Sequence, residues 1–172
     1  MHNFKQYLEE GRDAPLYHTT EIETATSIIK DDLIKPFTTQ SFATKRNEKI
    51  SYKFVKGVSL TRSLNFAKAF RGEYVIIFEF DQSKLVHNHQ IVPFNFFAAG
   101  AEAHGSDSPA RFSKKEDNIL NEHEEFLVGP IKNVNKYITK IIVTPSVFSQ
   151  LSTFKNILNH PKLYVNGKFI NK

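Results

Sequence analysis

Three places in this sequence concentrate side chains that could take part in chemistry. They are His18, the run Ser59-Leu60-Thr61-Arg62, and the acidic run Asn121-Glu122-His123-Glu124-Glu125. A histidine at the end of a strand can hold a hydroxyl group, and two hydroxyls that alternate along a strand can line the floor of a ligand site. Each place also has an ordinary interpretation, because lone histidines, polar edge strands and acidic turns are common in proteins. The chemical interpretation therefore requires all three to meet.

The glutamates point to one particular kind of reaction. On an extended chain Glu122 and Glu124 share a face, while Glu125 points the other way. One carboxylate of such a pair would stabilise a developing positive charge, and the other would orient an acceptor. An oxocarbenium-like ribosyl centre, which forms when the nicotinamide–ribose bond of NAD breaks, is a charge of this kind.

Motifs for other chemistry are missing from the sequence. It contains no GxGxxG fingerprint, no GxxxxGK[ST] phosphate loop, no nucleophile elbow and no cysteine. His87 and His89 would share a strand face, but two histidines alone do not make a metal site, so no metal is expected.

The bulk composition fits one domain with a basic surface. The 172 residues are long enough to bury a core, and 40% of them are apolar. No apolar run is long enough to span a bilayer, so a membrane is not expected as a partner. The formal net charge of +5 favours a polyanionic partner, either a nucleic acid or a small phosphate-rich ligand. The excess is modest, and an ordinary basic face explains it equally well.

The local patterns predict an α+β domain with more strand than helix. Strands are predicted from β-branched and aromatic runs at residues 15–19, 58–61, 73–80, 125–128 and 137–143. Helices are predicted after a Thr20/Glu23 capping box, after Ser63 or Asn65, and from Thr144-Pro145 through Leu158. The lysine-rich residues 35–56 are predicted to form a long surface loop or a flexible insertion, and residues 100–109 a mobile loop. Asn166-Gly167 predicts a type I′ hairpin turn.

Taken in chain order, these pieces resemble ADP-ribosyltransferase-like domains of the H-Y/S-E type. The three motifs of that family are matched by Leu16-Tyr17-His18-Thr19-Thr20, by Val58-Ser59-Leu60-Thr61-Arg62-Ser63, and by Asn121-Glu122-His123-Glu124-Glu125-Phe126. The likeness spans roughly residues 15–143 and is greatest to small tailed-phage (T4-like) proteins. Two departures are the arginine that toxin members carry where His18 stands and the tyrosine that poly-ADP-ribosylating members carry where Ser59 stands.

The resemblance implies a split β-sheet core with a few flanking helices, and NAD as the substrate. The residues at NAD would be His18, Thr19, Ser59, Thr61 and Arg62. Glu124 would stabilise the transition state and Glu122 would orient the acceptor. An alternative register of the third motif makes Glu125 the catalytic residue.

The N-terminus carries a second resemblance. Residues 1–13 are expected to form a short helix ahead of a single domain at residues 14–172. They resemble the capsid-targeting peptides of T4-like phages, whose L/I-x-E cleavage site is matched by Leu8-Glu9-Glu10. The hypothesis is a protein that is packaged in the phage virion interior, cleaved after Glu10 and active in the host cytoplasm. An ordinary N-terminal helix explains the same residues.

Three functions follow from these observations. The first is an enzyme, a mono-ADP-ribosyltransferase that transfers ADP-ribose from NAD to a host protein or nucleic-acid-associated target during host takeover. The second is a catalytically inactive module of the same fold that binds a nucleotide, a nucleic acid or a protein. The third is a nucleic-acid-binding accessory protein that uses the stretch from Lys45 to Lys56.

Overall fold

The computed structural model describes residues 14–46, 49–69, 75–93 and 124–171, with the backbone alone described at 38–46, 49–55, 92–93 and 124. The predicted helix at residues 1–13 with its cleavage site, the loop predicted at 100–109, and Glu122 lie outside the described residues.

Strands dominate the described residues. They are β1 (Leu16–Thr20), β2 (Leu33–Ile34), β3 (Phe37–Arg46), β4 (Lys49–Thr61), β5 (Ile76–Phe80), β6 (Ile91–Pro93), β7 (Glu124–Val128), β8 (Ile131–Lys132), β9 (Ile138–Val143), β10 (Leu163–Val165) and β11 (Lys168–Phe169). Nine of these strands form one sheet in the order β11-β10-β9-β5-β1-β4-β7-β6, with β3 paired to β4 off this path. The sheet is mixed, since β9 and β10 are parallel while the other described strand pairs in it are antiparallel. A second small sheet joins β2 to β8.

Short helices connect the strands. They are α1 (Ile22–Asp31), α2 (Leu64–Ala69), α3 (Gln82–Val86), α4 (Val134–Tyr137), α5 (Pro145–Gln150) and α6 (Lys155–Leu158), with a 3₁₀ turn at Leu151–Thr153. Together with the sheet they confirm the predicted α+β class. Within the described part of the chain, no helix is long and apolar enough to cross a membrane.

The sheet buries both of its faces around β5. All five residues of β5 are buried, which explains why its sequence is nearly continuous in apolar residues rather than alternating. On one face Phe78 packs in the main core with Ile28 of α1, whose buried residues recur at helical spacing. On the other face Ile77 packs with Ala67 of α2. Burying one such large side chain contributes about 1.5–3 kcal/mol, so the sheet is the main source of stability.

Several local predictions are confirmed. Ser63 and Thr144 cap their helices, since the Ser63 hydroxyl accepts from the Phe66 N–H (3.2 Å) and the Thr144 hydroxyl accepts from the Val147 N–H (3.3 Å). Asn166 and Gly167 both have positive φ, 47° and 80°, as a type I′ turn requires.

Three predictions are wrong. Thr20 is not a helix cap, because it is a buried residue of β1, and the cap position falls on Glu21, which makes no side-chain cap bond. The helix expected from Thr144 through Leu158 is divided by the 3₁₀ turn into α5 and α6. Residues 35–56 are mostly strand rather than loop, because β3 and β4 pair along their length. Their polar residues hid the pattern, since pairing between two strands does not by itself require an apolar face.

The sheet is weakly joined between β1 and β4. β1 forms five residue pairs with β5, whereas the described pairing with β4 consists of Tyr17 opposite Thr61. β4 itself continues past this point and forms five pairs with β7. The β1–β4 junction therefore divides the sheet into two better-paired halves, as the split core implied by the resemblance requires.

Candidate functional site

His18 lies at the β1–β4 junction. Its Nδ1 atom is 2.9 Å from the carbonyl oxygen of Ser59. A carbonyl can only accept, so Nδ1 carries the proton and, in the neutral ring, Nε2 carries the lone pair. The imidazole thus replaces part of the missing backbone ladder, and its tautomer is fixed by the contact.

The register places His18 and Glu125 on the same side of the sheet. Tyr17 lies opposite Thr61, so the next positions, His18 and Leu60, belong to the other face. Leu60 in turn lies opposite Glu125. The two halves of the split sheet therefore bring the histidine and this glutamate to one face, with Leu60 between them.

Glu125 is held by Arg62 in a buried ion pair. The Nε of Arg62 donates to Oε1 of Glu125 at 2.5 Å, and the two side chains are 7% and 1% exposed. The Nη1 of Arg62 donates to Oε1 of Gln82 at 2.8 Å, which ties α3 to the pair. Burying two charges is costly unless they are paired and hydrogen bonded; the guanidinium of Arg62 is bonded to both Glu125 and Gln82, and Glu125 is paired through Oε1.

The predicted hydroxyl ligands have local roles in the structure. Thr61 is 6% exposed, and its Oγ1 accepts from the Ser63 N–H at 3.0 Å, where the chain turns from β4 into α2. Thr19 donates its hydroxyl to the Ala67 carbonyl at 2.9 Å, which docks α2 on β1. Ser59 lies opposite Phe126 and supplies the carbonyl that holds His18. These three residues build the junction, and their contact with a ligand stays a prediction.

A second polar row crosses the sheet on the opposite face. The register runs from Lys140 through Glu79, Tyr17 and Thr61 to Glu124. Lys140 donates to both carboxylate oxygens of Glu79, at 2.9 and 3.0 Å. Burial, followed by the charge and hydrogen bond of Glu79, raises the pKa of Tyr17. Glu124 is thus in register with Thr61, whereas Glu125 belongs to the row of His18.

A cavity of about 350 Å³ lies where β1 begins and β5 ends. It is lined by Pro15, Glu79, Phe80, Asp81, Gln82, Ser83 and Thr139. Gln82 is shared between this cavity and the Arg62 network, so the cavity borders the buried ion pair rather than His18. The Asp81 carboxylate accepts from Ser83 and Lys84, and these hydrogen bonds lower its pKa to about 2.

Of the predicted site residues, the structure brings His18, Ser59, Arg62 and Glu125 to the junction. Sequence reasoning missed Gln82 and the Arg62–Glu125 pair. The sequence carried no signal for this pair, because Arg62 and Glu125 meet only through the pairing of β4 with β7. No group of three or more His, Asp and Glu residues that could hold a metal ion occurs among the described residues.

Comparison with known proteins identifies the fold. No protein-family model matches the sequence, and no curated protein matches it. Among solved structures, DarT of Thermus sp. 2.9 in complex with ADP-ribosylated ssDNA superposes with a TM-score of 0.51 at 12% identity, over 90% of this chain and 95% of DarT. DarT in complex with NAD+ gives 0.50 at 15% identity, over 90% and 96%. This chain therefore has the ADP-ribosyltransferase-like fold that DarT has.

Proposed function

We propose that this chain is an NAD-dependent mono-ADP-ribosyltransferase whose β1–β4 junction holds the ribose and nicotinamide of NAD. The observation that carries the proposal is that His18 and Glu125 face the same side of the split sheet, across Leu60. The similarity to DarT supports it, because that protein is seen in complex with NAD+.

Glu125 is the residue we assign to charge stabilisation. The reaction breaks the bond between ribose C1′ and the nicotinamide nitrogen, and the bonding electrons leave with nicotinamide. The positive charge that develops at C1′ is stabilised by a carboxylate, most effectively at a buried position such as that of Glu125. The acceptor atom then bonds to C1′ and loses a proton, for which a carboxylate is a suitable base.

Arg62 is proposed as a positioning residue. Its guanidinium offsets the cost of burying the Glu125 carboxylate and fixes its orientation, while Gln82 holds the other end of the guanidinium. A carboxylate that is already oriented toward the reacting atom needs no reorganisation when positive charge develops there. Such preorganisation is the main source of electrostatic catalysis.

His18 is proposed to bind a ribose hydroxyl. Its Nδ1–H donates to the Ser59 carbonyl, so the neutral ring presents Nε2 as an acceptor, which matches a hydroxyl donor. Thr19, Ser59 and Thr61 would complete the floor of the site. Glu124 remains the alternative catalytic residue, and Glu122 the proposed acceptor-orienting residue.

The acceptor is proposed to be a macromolecule, with nucleic acid as the first choice. DarT is seen in complex with ADP-ribosylated ssDNA, and the net charge of +5 on this chain suits a polyanion. A second candidate function is a nucleotide-binding module without activity. It is favoured by the same ion pair, because a buried Glu125 carboxylate whose Oε1 is bound to Arg62 is less available to a substrate.

The experiment is incubation of the full chain with isotope-labelled NAD and a host cell lysate, followed by mass spectrometry of protein and nucleic acid. We expect label on a macromolecule with the native chain and none with Glu125→Gln. Free nicotinamide and ADP-ribose without a labelled macromolecule would mean an NAD hydrolase. Intact NAD throughout, with a folded native chain, would contradict the proposal and favour the binding module.

A further inference from the structure

The side-chain amide of Gln82 uses only one of its two polar groups within the described structure. Its Oε1 accepts from Nη1 of Arg62 at 2.8 Å, and the residue is 6% exposed. A guanidinium can only donate, so the amide oxygen faces Arg62 and the NH2 group lies on the other branch of the amide. Among the described residues, this NH2 group has no hydrogen-bond partner. Since Gln82 lines the cavity between the start of β1 and the end of β5, the NH2 group faces that cavity.

The NH2 group is therefore a donor that the fold leaves for an occupant of the cavity. An amide donor removed from bulk water is costly unless it finds an acceptor, and native structures pair such groups with protein, water or a ligand. The contact with Arg62 fixes the amide from one side, and Asp81 fixes the start of α3 from the other by accepting from the Lys84 N–H at 3.2 Å. The donor is thus held in place before anything binds.

The two carboxylates of the cavity wall are already balanced by lysines. Glu79 accepts from Lys140 at 2.9 and 3.0 Å, and Asp81 forms an ion pair with Lys84 at 2.9 Å. An anionic ligand would meet two carboxylates, and a cationic ligand would have to compete with a lysine. The wall therefore favours an uncharged ligand over either kind of ion.

The hydroxyl groups of the wall are available as acceptors. Thr139 donates its hydroxyl to Glu79 at 2.7 Å, and Ser83 donates its hydroxyl to Asp81 at 2.6 Å. Each hydroxyl oxygen keeps lone pairs after its proton is used. The wall thus offers one fixed donor, the NH2 group of Gln82, and several acceptors. Its complement is a ligand that has an oxygen acceptor with O–H or N–H donors next to it.

We propose that this cavity binds an uncharged polar group, an oxygen acceptor flanked by O–H or N–H donors, with the NH2 group of Gln82 as its anchor. The cavity volume of about 350 Å³ lies within the range of about 300–1,000 Å³ for small-molecule sites, and Pro15 and Phe80 supply apolar lining. Vicinal hydroxyls of a sugar and a carboxamide both carry the required pattern. The guanidinium of Arg62 separates this site from Glu125, and binding here does not require the reaction proposed above.

The test is an NMR titration of the full chain, labelled with nitrogen-15, that follows the side-chain NH2 signal of Gln82 in the absence of NAD. The uncharged probes are methyl β-D-ribofuranoside and propionamide, and the charged probes are methylguanidinium and methyl phosphate. The variant is Gln82→Glu, which keeps an oxygen for Arg62, removes the NH2 group and thereby identifies its signal. The matched control is Gln150→Glu, the same change at an exposed position of α5.

We expect at least one uncharged probe to shift the Gln82 signal saturably in the native chain and in Gln150→Glu, and to bind at least about tenfold more tightly than either charged probe. In Gln82→Glu, followed through the backbone signal of Ser83, its affinity should fall about tenfold or more, because an acceptor replaces the donor that faces the ligand oxygen. Nuclear Overhauser contacts from the probe to the Thr139 methyl group should place it in the cavity. Comparison of the glycoside with propionamide distinguishes a sugar from a carboxamide.

The proposal is overturned if no probe shifts the Gln82 signal saturably in the folded native chain, because water alone then fills the cavity. Tighter binding of methylguanidinium or methyl phosphate would overturn it as well, and so would unchanged binding by Gln82→Glu. If Gln82→Glu does not fold, the comparison of probes on the native chain still decides. Because NAD is absent, none of these outcomes bears on ADP-ribose transfer.

Discussion

Arg62 and Glu125 lie 63 positions apart in the chain and form an ion pair that is almost completely buried, with Nε and Oε1 2.5 Å apart. The pair joins the end of β4 to the start of β7, and Gln82 extends it to α3. It therefore connects β4, β7 and α3 in the half of the sheet that carries the proposed catalytic carboxylate.

Removal of one partner of this pair should be strongly destabilising. For Arg62→Met or Glu125→Gln alone we expect a loss of about 3–5 kcal/mol in the free energy of unfolding, because a buried charge loses its partner. The double variant Arg62→Met/Glu125→Leu should be close to the native chain in stability, since packed apolar side chains replace both charges. Urea unfolding measures all three.

A matched control for this experiment is the exposed pair of Lys84 and Asp81. Lys84 is 56% exposed, so Lys84→Gln should cost less than about 1 kcal/mol. If Lys84→Gln and Arg62→Met lowered the free energy of unfolding equally, burial of the Arg62–Glu125 pair would not matter, which would contradict this prediction.

Gly57 is required where the two-stranded ribbon of β3 and the first part of β4 joins the rest of the sheet. A Cβ built on it lies 2.3 Å from the Leu127 carbonyl oxygen and 2.4 Å from the ring of Phe126. Since the first of these atoms is backbone, Gly57→Ala should force β4 away from β7 and cost several kcal/mol, a large fraction of a typical domain stability. Thermal unfolding of Gly57→Ala beside Gly167→Ala measures the effect, since a Cβ at Gly167 meets only the Tyr164 hydroxyl, at 4.0 Å, although φ is positive there. A smaller loss for Gly57→Ala than for Gly167→Ala would contradict this.

The free energy of unfolding should decrease at acidic pH because of His160. Its Nδ1 accepts from the Lys162 N–H at 3.1 Å, and burial together with the Lys162 charge lowers its pKa below 6.5. The unfolded chain therefore binds a proton more readily, so stability is fully present above about pH 6.5 and decreases as the pH falls through the folded pKa. Burial also lowers the pKa of His89, which acts in the same direction.

Melting temperatures between pH 5 and 8 test this prediction, with His160→Gln as the variant that cannot titrate. We expect the acid-side slope to become shallower in His160→Gln and to retain a remainder from His89. An unchanged slope would mean that His160 titrates alike in the folded and unfolded chains.

Two variants of His18 separate its structural and binding roles. His18→Asn keeps a donor for the Ser59 carbonyl, whereas His18→Phe removes it, so only the second should lose about 1 kcal/mol of stability. Both lack Nε2, and both should raise the KM for NAD about tenfold or more. Native-like NAD affinity in a folded His18→Asn would show that the ring does not contact the substrate.

The sequence predicted the fold wherever local chemistry decided the structure. Apolar runs located β5, β7 and β9, and the Asn166-Gly167 turn followed from its need for positive φ. The ribbon of β3 and the first part of β4 escaped prediction because cross-strand pairing, which a single sequence does not reveal, is what makes those polar residues strands. The same limit applied at Thr20, which pairing with Ile76 keeps in β1.

The sequence identified residues that the structure brings together at the junction, but not how they are arranged, and their contact with NAD stays a prediction. His18, Ser59 and Arg62 were identified by residue type and order, and they do lie at the junction. The choice between Glu124 and Glu125 depended on which face each occupies, and that is set by the register of β4 on β7. A one-residue change in register exchanges the faces, so no spacing argument within the acidic run could decide it.

The central claim is tested most directly by nicotinamide release from NAD in the presence of the acceptor fraction, compared between Glu124→Gln and Glu125→Gln. Each variant is first shown to be folded. If Glu125→Gln does not fold, the double variant Arg62→Met/Glu125→Leu is used in its place. We expect Glu124→Gln to stay within about tenfold of the native rate and the Glu125 variant to lose at least about a hundredfold, the scale of one electrostatic stabiliser. An active, folded Glu125 variant beside an inactive Glu124→Gln would contradict the assignment, and no release by the folded native chain would contradict the function itself.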